Sequence, residues 1–208
     1  SSNFGNICSV AAASMFLPFL PATAAQLLLL NLCYDATCLA LSWDNVDRGE
    51  IARPKVWSGK GLGGFMLHFG FVSSAFDILT FAILFLVVCP AVCGGPFAAL
   101  DAAGQARYVA TFQAGWLLEC AWTESLVLLV LRTRNARGAD RPCRPLVTMV
   151  VAMLAASTAM ALGTAAQLLG PAALPAWYLG VVALLSVLYL AVVSTIKRVY
   201  LSRSSSLF

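Results

Sequence analysis

Apolar stretches of about 20 residues recur along the chain, and short polar segments separate them. Folded as a helix, each stretch is long enough to cross a hydrocarbon layer of about 30 Å. The pattern therefore predicts an all-α fold, a polytopic membrane bundle of six transmembrane helices that forms a single membrane domain. The predicted spans lie near residues 4–21, 23–42, 64–89, 108–131, 146–164 and 177–195.

The composition supports a membrane protein. Of the 208 residues, 61% are hydrophobic and only 11% are charged, and the mean hydropathy is +0.86. A chain this apolar lies outside the range of soluble globular proteins. We therefore expect a multi-pass protein whose helices contact membrane lipid.

Basic residues alternate between the two sides of the predicted bundle. They fall between spans two and three, between spans four and five, and after span six, while Arg107 alone lies on the other side. Because basic residues mark cytoplasmic loops, the loops at about 43–63 and 132–145 and both termini are predicted to be cytoplasmic, in the cell (inner) membrane. Charge beside the membrane explains these clusters, so no nucleic-acid partner is expected.

The stretch QLLLLNLCYD places the carboxylate of Asp35 at the end of a strongly apolar run. An ionisable group within a membrane span costs about 3 kcal/mol or more unless it faces a polar interior, so such a group indicates an ion or proton site. Asn31 lies four residues earlier and shares its helix face. The alternative is an aspartate that caps a helix break or is hydrogen-bonded for structural reasons.

The segment SSNFGN opens the chain and places Asn3 and Asn6 on one helix face. Amides in lipid need partners, so this face is predicted to turn inward. A short turn around Pro21 makes the first two spans an antiparallel hairpin, with both polar faces within reach of each other. Because the segment has neither an initiator Met nor a signal-peptide pattern, the sequence is expected to be a fragment that begins where a helix enters the membrane.

Three further acids lie within predicted spans. Asp77 follows Ser73 by four residues, and either an interhelical hydrogen bond or ion binding explains it. Glu119 and Glu124 are five residues apart, about 140° around a helix, so both cannot face one narrow site. Glu119, one turn beyond Gly115, is predicted to face the interior, and the role of Glu124 stays open.

The histidine and the cysteines offer little metal chemistry. His68 is the single histidine, and no second His or Cys lies at ligand spacing from it. Most of the seven cysteines lie within spans, where a free thiol behaves as a small hydrophobe. Cys89 and Cys93 flank an outward-facing loop and could form a disulfide in an oxidising compartment.

These motifs resemble a known family. SSNFGN on one helix, a turn that ends in Pro, and NLCYD on the next helix are similar to transmembrane helices five and six of P-type cation ATPases. The loop WDNVDRGEIARPKVW, the segment SSAFD at 73–77 and the segment FQAGWLLE at 112–119 most resemble the magnesium-importing branch. The resemblance covers nearly the whole chain, as helices five to ten of that family.

The resemblance implies a metal site. Asn31 and Asp35 match the ion motif of helix six, Asn3 matches the asparagine of helix five, and Glu119 is a looser match to the acid of helix eight. Asn6 stands where calcium pumps carry a glutamate, so the site loses one negative charge. That suits Mg²⁺, which keeps several waters and is usually held by one or two carboxylates.

The resemblance also implies an activity, the transport of Mg²⁺ across the membrane at the expense of ATP. The sequence has no DKTGT phosphorylation loop, so the expected partners are the missing N-terminal helices and the actuator, phosphorylation and nucleotide-binding domains, which alone would bind ATP. The chain by itself is therefore expected to be inactive. The alternatives are another cation ATPase, of the calcium type, or a stand-alone six-helix channel, carrier or regulatory membrane protein.

Overall fold

The structure, a computed structural model, describes residues 2–44, 59–132, 142–162 and 174–203. Within these ranges the chain is helical and forms no strand, which confirms the predicted all-α fold. The helices are α1 (Ser2–Ala13), α2 (Ala24–Leu39), α3 (Gly59–Ile83), α4 (Cys89–Cys93), α5 (Ala102–Leu131), α6 (Arg144–Leu162) and α7 (Tyr178–Arg203). A π-helical turn at Leu84–Val88 joins α3 to α4, and 3-10 turns lie at Ala40–Trp43 and Phe97–Ala99.

Five segments in the described part of the chain are long and apolar enough to span a membrane. They are Ala24–Trp43, Phe69–Ala99, Ala102–Leu131, Arg144–Leu162 and Tyr178–Val199. The first apolar helix is shorter, since its apolar part runs from Phe4 to Ala13. Most of the two loops predicted to be cytoplasmic, residues 45–58 and 133–141, lies outside the described residues.

Helix α1 ends earlier than the apolar pattern suggests, at Ala13 rather than near residue 21. The amide of Leu17 still bonds back to the Ala13 carbonyl, but Pro18 has no N–H with which to continue the helix. Phe19 then packs against Phe85, Phe97, Tyr108 and Phe112. These ring contacts hold the connection from α1 to α2, which is longer than the short turn that the sequence suggested.

A capping box starts helix α2. The Thr23 hydroxyl accepts a hydrogen bond from the Gln26 amide at 3.3 Å, and the Gln26 side chain accepts one from the Thr23 amide at 2.8 Å. Such reciprocal bonds satisfy two amides that a helix start leaves unpaired. Gln26, the first residue of the QLLLLNLCYD stretch, therefore has a structural role.

Helix α5 is the centre of the bundle and packs against α2, α3, α6 and α7. Gly115 allows the closest approach, because a Cβ at this position would overlap the Leu84 side chain. The Tyr178 hydroxyl donates to the Gly115 carbonyl at 3.1 Å and ties α7 to the same point. The close packing expected at Gly115 is therefore present.

Helix α1 packs mainly on α3 rather than on α2. At Gly5 a Cβ would lie 2.9 Å from the Ser73 Cβ and 3.0 Å from the Gly70 carbonyl oxygen. The Ser74 hydroxyl also donates to the Gly5 carbonyl at 2.9 Å. Small residues on both helices thus bring the polar face of α1 against α3.

The π-helical turn has a local cause. Pro90 has no N–H to donate, so an uninterrupted α-helix would leave the carbonyl of Leu86 unpaired. The chain widens to a π turn instead, and the Tyr108 hydroxyl donates to the Phe85 carbonyl at 2.5 Å. Side-chain hydrogen bonds of this kind stabilise broken helices in membranes.

All seven cysteines lie within the described residues, and all are free thiols. Cys89 is buried, and its thiol lies 3.7 Å from the Tyr108 carbonyl oxygen. The disulfide between Cys89 and Cys93 that the sequence allowed is therefore not formed in this structure.

Candidate cation site

Polar side chains from three helices meet inside the bundle. They are Asn6 and Ser9 from α1, Asp77 from α3, and Trp116, Glu119, Cys120 and Glu124 from α5, and we call this set the central polar cluster. Each of the three acids is at most 5% exposed.

Asp77 joins the three helices of the central polar cluster. Its Oδ2 accepts a hydrogen bond from the Ser9 hydroxyl at 2.6 Å. Its Oδ1 accepts one from the Trp116 ring nitrogen at 3.2 Å and lies 3.5 Å from the Cys120 thiol. Both carboxylate oxygens are therefore held in place. These are the interhelical bonds that the sequence offered as one explanation of Asp77.

Glu119 and Cys120 lie beside Asp77. The Cys120 sulfur is 3.9 Å from Glu119 Oε2. One donor atom from each of Asp77, Glu119 and Cys120 lies within 4.8 Å of the other two. The Thr123 hydroxyl donates to the Glu119 backbone carbonyl at 3.0 Å, and the Glu119 side chain is buried. Glu119 thus faces the interior, as expected.

Glu124 is also buried, and Asn6 is its partner in α1. The Asn6 side-chain amide donates to Glu124 Oε1 at 2.8 Å. The Ser9 hydroxyl lies 3.0 Å from the Asn6 carbonyl oxygen, so the two polar residues of α1 are adjacent. Because consecutive turns of α1 meet Glu124 and Asp77, the cluster is an extended network rather than one narrow site.

The remaining predicted ligands lie elsewhere. Asp35 is exposed on α2 and Asn31 is half-buried. Within the described residues, neither side chain makes a hydrogen bond. Asn3 belongs to α1, and its side chain lies outside the described part of the structure, as does that of His68. Of the five predicted ligands, the structure therefore brings together Asn6 and Glu119.

Sequence reasoning missed the participation of Ser9, Trp116 and Cys120. The sequence predicts that a thiol in an apolar span behaves as a small hydrophobe. In the structure, however, the Cys120 thiol lies between the carboxyl groups of Asp77 and Glu119. The available signal was the pair Glu119 and Cys120 on one predicted span and Asp77 on another. Only the relative register of the helices shows that they meet.

The apolar parts of the three helices that carry these acids contain no basic residue. The segments 2–13, 69–99 and 108–131 contain no Lys, Arg or His. Buried carboxylates in a membrane pair with cations, with backbone or side-chain donors, or with protons. The cluster is therefore suited to binding a positively charged ligand.

Comparison with known proteins identifies the family. The model of the family described as cation transporting ATPase, C-terminus, matches residues 19–199. The chain belongs to this family. The resemblance of its motifs to the C-terminal membrane region of P-type cation ATPases is confirmed, and the apolar helices make this region a multi-pass membrane domain.

Two relatives give the comparison detail. The chain is 35% identical over 209 residues to a magnesium-transporting ATPase, P-type 1, of Salmonella typhimurium (strain LT2). The aligned region covers 100% of the chain and 22% of that protein. The chain is 34% identical over 204 residues to a protein of the same description from Escherichia coli (strain K12), covering 98% of the chain and 21% of the relative. The chain thus spans about a fifth of the length of these relatives.

Proposed function

We propose that the chain is the membrane transport region of a P-type ATPase that moves Mg²⁺ across the cell (inner) membrane at the expense of ATP. The observation that carries this proposal is identity of 34–35% along essentially the whole chain to magnesium-transporting ATPases. The buried acids of the central polar cluster support it, because ionisable side chains inside membrane spans commonly mark ion or proton sites.

The proposed Mg²⁺ ligands are Asp35, Asn31, Asn3, Asn6 and Glu119. They offer two carboxylates and three amide oxygens, a set that suits an ion that retains several waters. The Asn6 amide nitrogen donates to Glu124, so its Oδ1 is the atom left for a cation. Glu124 thereby orients one of the proposed ligands.

The exposure of Asp35 is central to this proposal. A carboxylate on the lipid side of a span is unfavourable by about 3 kcal/mol or more, yet Asp35 is exposed on α2. We therefore infer that further helices of the complete protein cover this face of α2. The relatives are about five times as long as this chain and have room for such helices.

We propose that ATP is hydrolysed by parts of the complete protein that lie outside this chain. An actuator, a phosphorylation and a nucleotide-binding domain of the complete protein would bind and hydrolyse ATP on the cytoplasmic side. Their movements would tilt the helices that carry Asn6 and Asp35 relative to each other. Discrete shifts of packed helices are an ordinary way to alternate access to a buried site.

The test is Asp35→Asn in the complete protein, assayed for Mg²⁺ uptake and for Mg²⁺-dependent phosphoenzyme turnover. We expect both to fall at least about tenfold, the order of loss seen when metal sites are perturbed. Asp101→Asn is the matched control, since Asp101 caps α5 through the Gly104 amide and Asn caps equally well. Full activity of the Asp35 variant contradicts the proposed ligand role.

A further inference from the structure

We propose that Asp77, Glu119 and Cys120 form a second cation site, which takes a divalent transition-metal ion such as Zn²⁺ or Co²⁺. Two carboxylate oxygens and one thiolate sulfur are the donors. The site goes beyond the proposed magnesium transport and does not rest on it. Asp77 and Cys120 are not among the five residues proposed to hold Mg²⁺, whereas Glu119 is proposed as a ligand in both sites.

The distances fit one ion. With metal–sulfur bonds of about 2.3 Å and metal–oxygen bonds of about 2.1 Å, the donors of one tetrahedral ion lie about 3.4–3.6 Å apart. The donor atoms of Asp77, Glu119 and Cys120 lie within 4.8 Å of one another. The Cys120 sulfur already lies 3.5 Å from Asp77 Oδ1 and 3.9 Å from Glu119 Oε2. A side-chain rotation that brings the two carboxylate oxygens about 1 Å closer therefore places all three donors on one ion.

The donor types select the ion. Thiolate is a soft ligand that favours transition metals, whereas Mg²⁺ takes oxygen donors and retains its waters. When the ion binds Cys120, the S–H bond breaks as the metal–sulfur bond forms, and the proton leaves to solvent. A divalent cation then offsets two of the three negative charges of the site, and the segments 69–99 and 108–131 that hold it contain no basic residue.

Surrounding hydrogen bonds hold the Asp77 carboxylate in the orientation that the site needs. Ser9 donates to Oδ2 at 2.6 Å, and Trp116 donates to Oδ1 at 3.2 Å. Hydrogen bonds to a ligating carboxylate fix its direction and raise metal affinity. The thiol of Cys120 lies 3.5 Å from Oδ1, so the sulfur and this oxygen are already adjacent.

The buried hydroxyl of Thr80 independently indicates a bound ligand. Its side chain is fully buried, and its hydroxyl has no hydrogen-bond partner within the ranges that the structure describes. It does not bond back to the carbonyl four residues earlier, as Thr37 and Thr111 do. A buried hydroxyl without a partner is unfavourable, so a ligand beside it accounts for its presence.

Thr80 is directed toward the site by its position on α3. It follows Asp77 by three residues and precedes Leu84 by four, so the three share a face. Asp77 meets Trp116 and Leu84 meets Gly115, so both contact α5. The Thr80 side chain therefore lies on the face of α3 that packs on α5, one turn beyond Asp77, and we assign its hydroxyl as a further oxygen donor.

Co²⁺ is the probe, because a thiolate bound to Co²⁺ gives a charge-transfer band in the near ultraviolet. The intact full-length protein is purified in detergent, freed of metal and titrated with Co²⁺. We expect this band, and we expect Cys120→Ser to remove it and to weaken Co²⁺ binding at least about tenfold. Cys89→Ser is the matched control, since Cys89 is a buried thiol that contacts the Tyr108 carbonyl instead of an acid, and it should leave the band unchanged.

Two further variants separate this site from the others. Asp35→Asn should leave the Co²⁺ band intact, so a failure of the magnesium proposal and a failure of this one are distinguishable. Thr80→Val keeps the side-chain shape and should reduce the rise in melting temperature that Co²⁺ causes, without lowering the melting temperature of the metal-free protein. No Co²⁺ band, a band that survives Cys120→Ser, or a Co²⁺-induced rise that Thr80→Val leaves unchanged would overturn the proposal.

Discussion

The hydroxyl of Ser9 donates a 2.6 Å hydrogen bond to the carboxylate of Asp77, and both side chains are buried. This bond joins α1 to α3 through two residues that are 68 positions apart along the chain. It lies one turn from the close contact between Gly5 and Ser73. The short helix α1 is therefore positioned on α3 by small residues and by this hydrogen bond together.

Replacing Ser9 with Ala should destabilise the protein by about 1–3 kcal/mol, because a buried carboxylate oxygen loses its donor. Thermal unfolding of the purified complete protein measures the effect. Ser14→Ala is the control, since the exposed Ser14 hydroxyl only bonds back to the Val10 carbonyl, and its effect should stay within about 0.5 kcal/mol. Equal melting temperatures for the two variants would contradict a structural role for the Ser9 bond.

Asn6→Asp should destabilise the protein, since it places a second carboxyl group about where the Asn6 amide now donates to Glu124 at 2.8 Å. Like charges at hydrogen-bonding distance inside a membrane cannot both be ionised. In the double variant Asn6→Asp with Glu124→Gln, the new amide donates back to the new acid. We expect a favourable coupling energy of about 1–3 kcal/mol in a double-mutant cycle, measured by thermal unfolding, and strict additivity would refute the contact.

Gly115→Ala should weaken the packing of α5 against the π-helical turn that follows α3, because the added methyl group overlaps the Leu84 side chain. Overpacking of this kind costs about 1–3 kcal/mol. Gly180→Ala in α7 is the matched control, since nothing lies within 4 Å of the new Cβ there. The control should be neutral or slightly stabilising because Ala favours helices. If both variants melt at the same temperature, the close contact at Gly115 is not important for stability.

Asp44 and Arg132 form a buried ion pair at the C-terminal end of α5. Their side chains are 8% and 5% exposed, and the separation is 2.6 Å. Asp44 also accepts from the Cys143 amide at 2.9 Å, just before α6. Asp44→Asn should therefore cost about 3 kcal/mol, as measured by thermal unfolding. Exchanging the two residues should not restore stability, because an arginine at position 44 cannot accept from Cys143, so full restoration by the exchange would disprove that second bond.

The fold class could be predicted from the sequence because most of the helices are apolar stretches long enough to cross a membrane. The sequence was not sufficient to predict the end of α1. Pro18 marks a break, but the place where helical bonding stops depends on the preceding turn, and Phe19 is held by rings that come from distant parts of the chain. Contacts between distant parts of the chain do not produce a periodic pattern in the sequence, so they could not be predicted from it.

The same limit applies to the central polar cluster. The inward direction of Glu119 could be predicted, because Gly115 one turn earlier marks a packed face. The contact of Cys120 with Asp77 could not be predicted, because it depends on the relative register of α3 and α5 in the folded bundle. The sequence predicts that Asn6 lies within reach of the polar face of α2. In the structure α1 packs on α3, and the Asn6 side chain donates to Glu124 of α5 instead.

The length of α5 has a consequence for the response of the bundle to its bilayer. With 30 residues the helix is about 45 Å long, well over a hydrocarbon thickness of about 30 Å, but neighbouring helices surround it. Helix α6, which the structure describes as far as Leu162, has a largely uncovered surface. Hydrophobic mismatch therefore falls on α6 rather than on α5, so a thicker or thinner membrane would tilt the periphery while the central helix keeps its register.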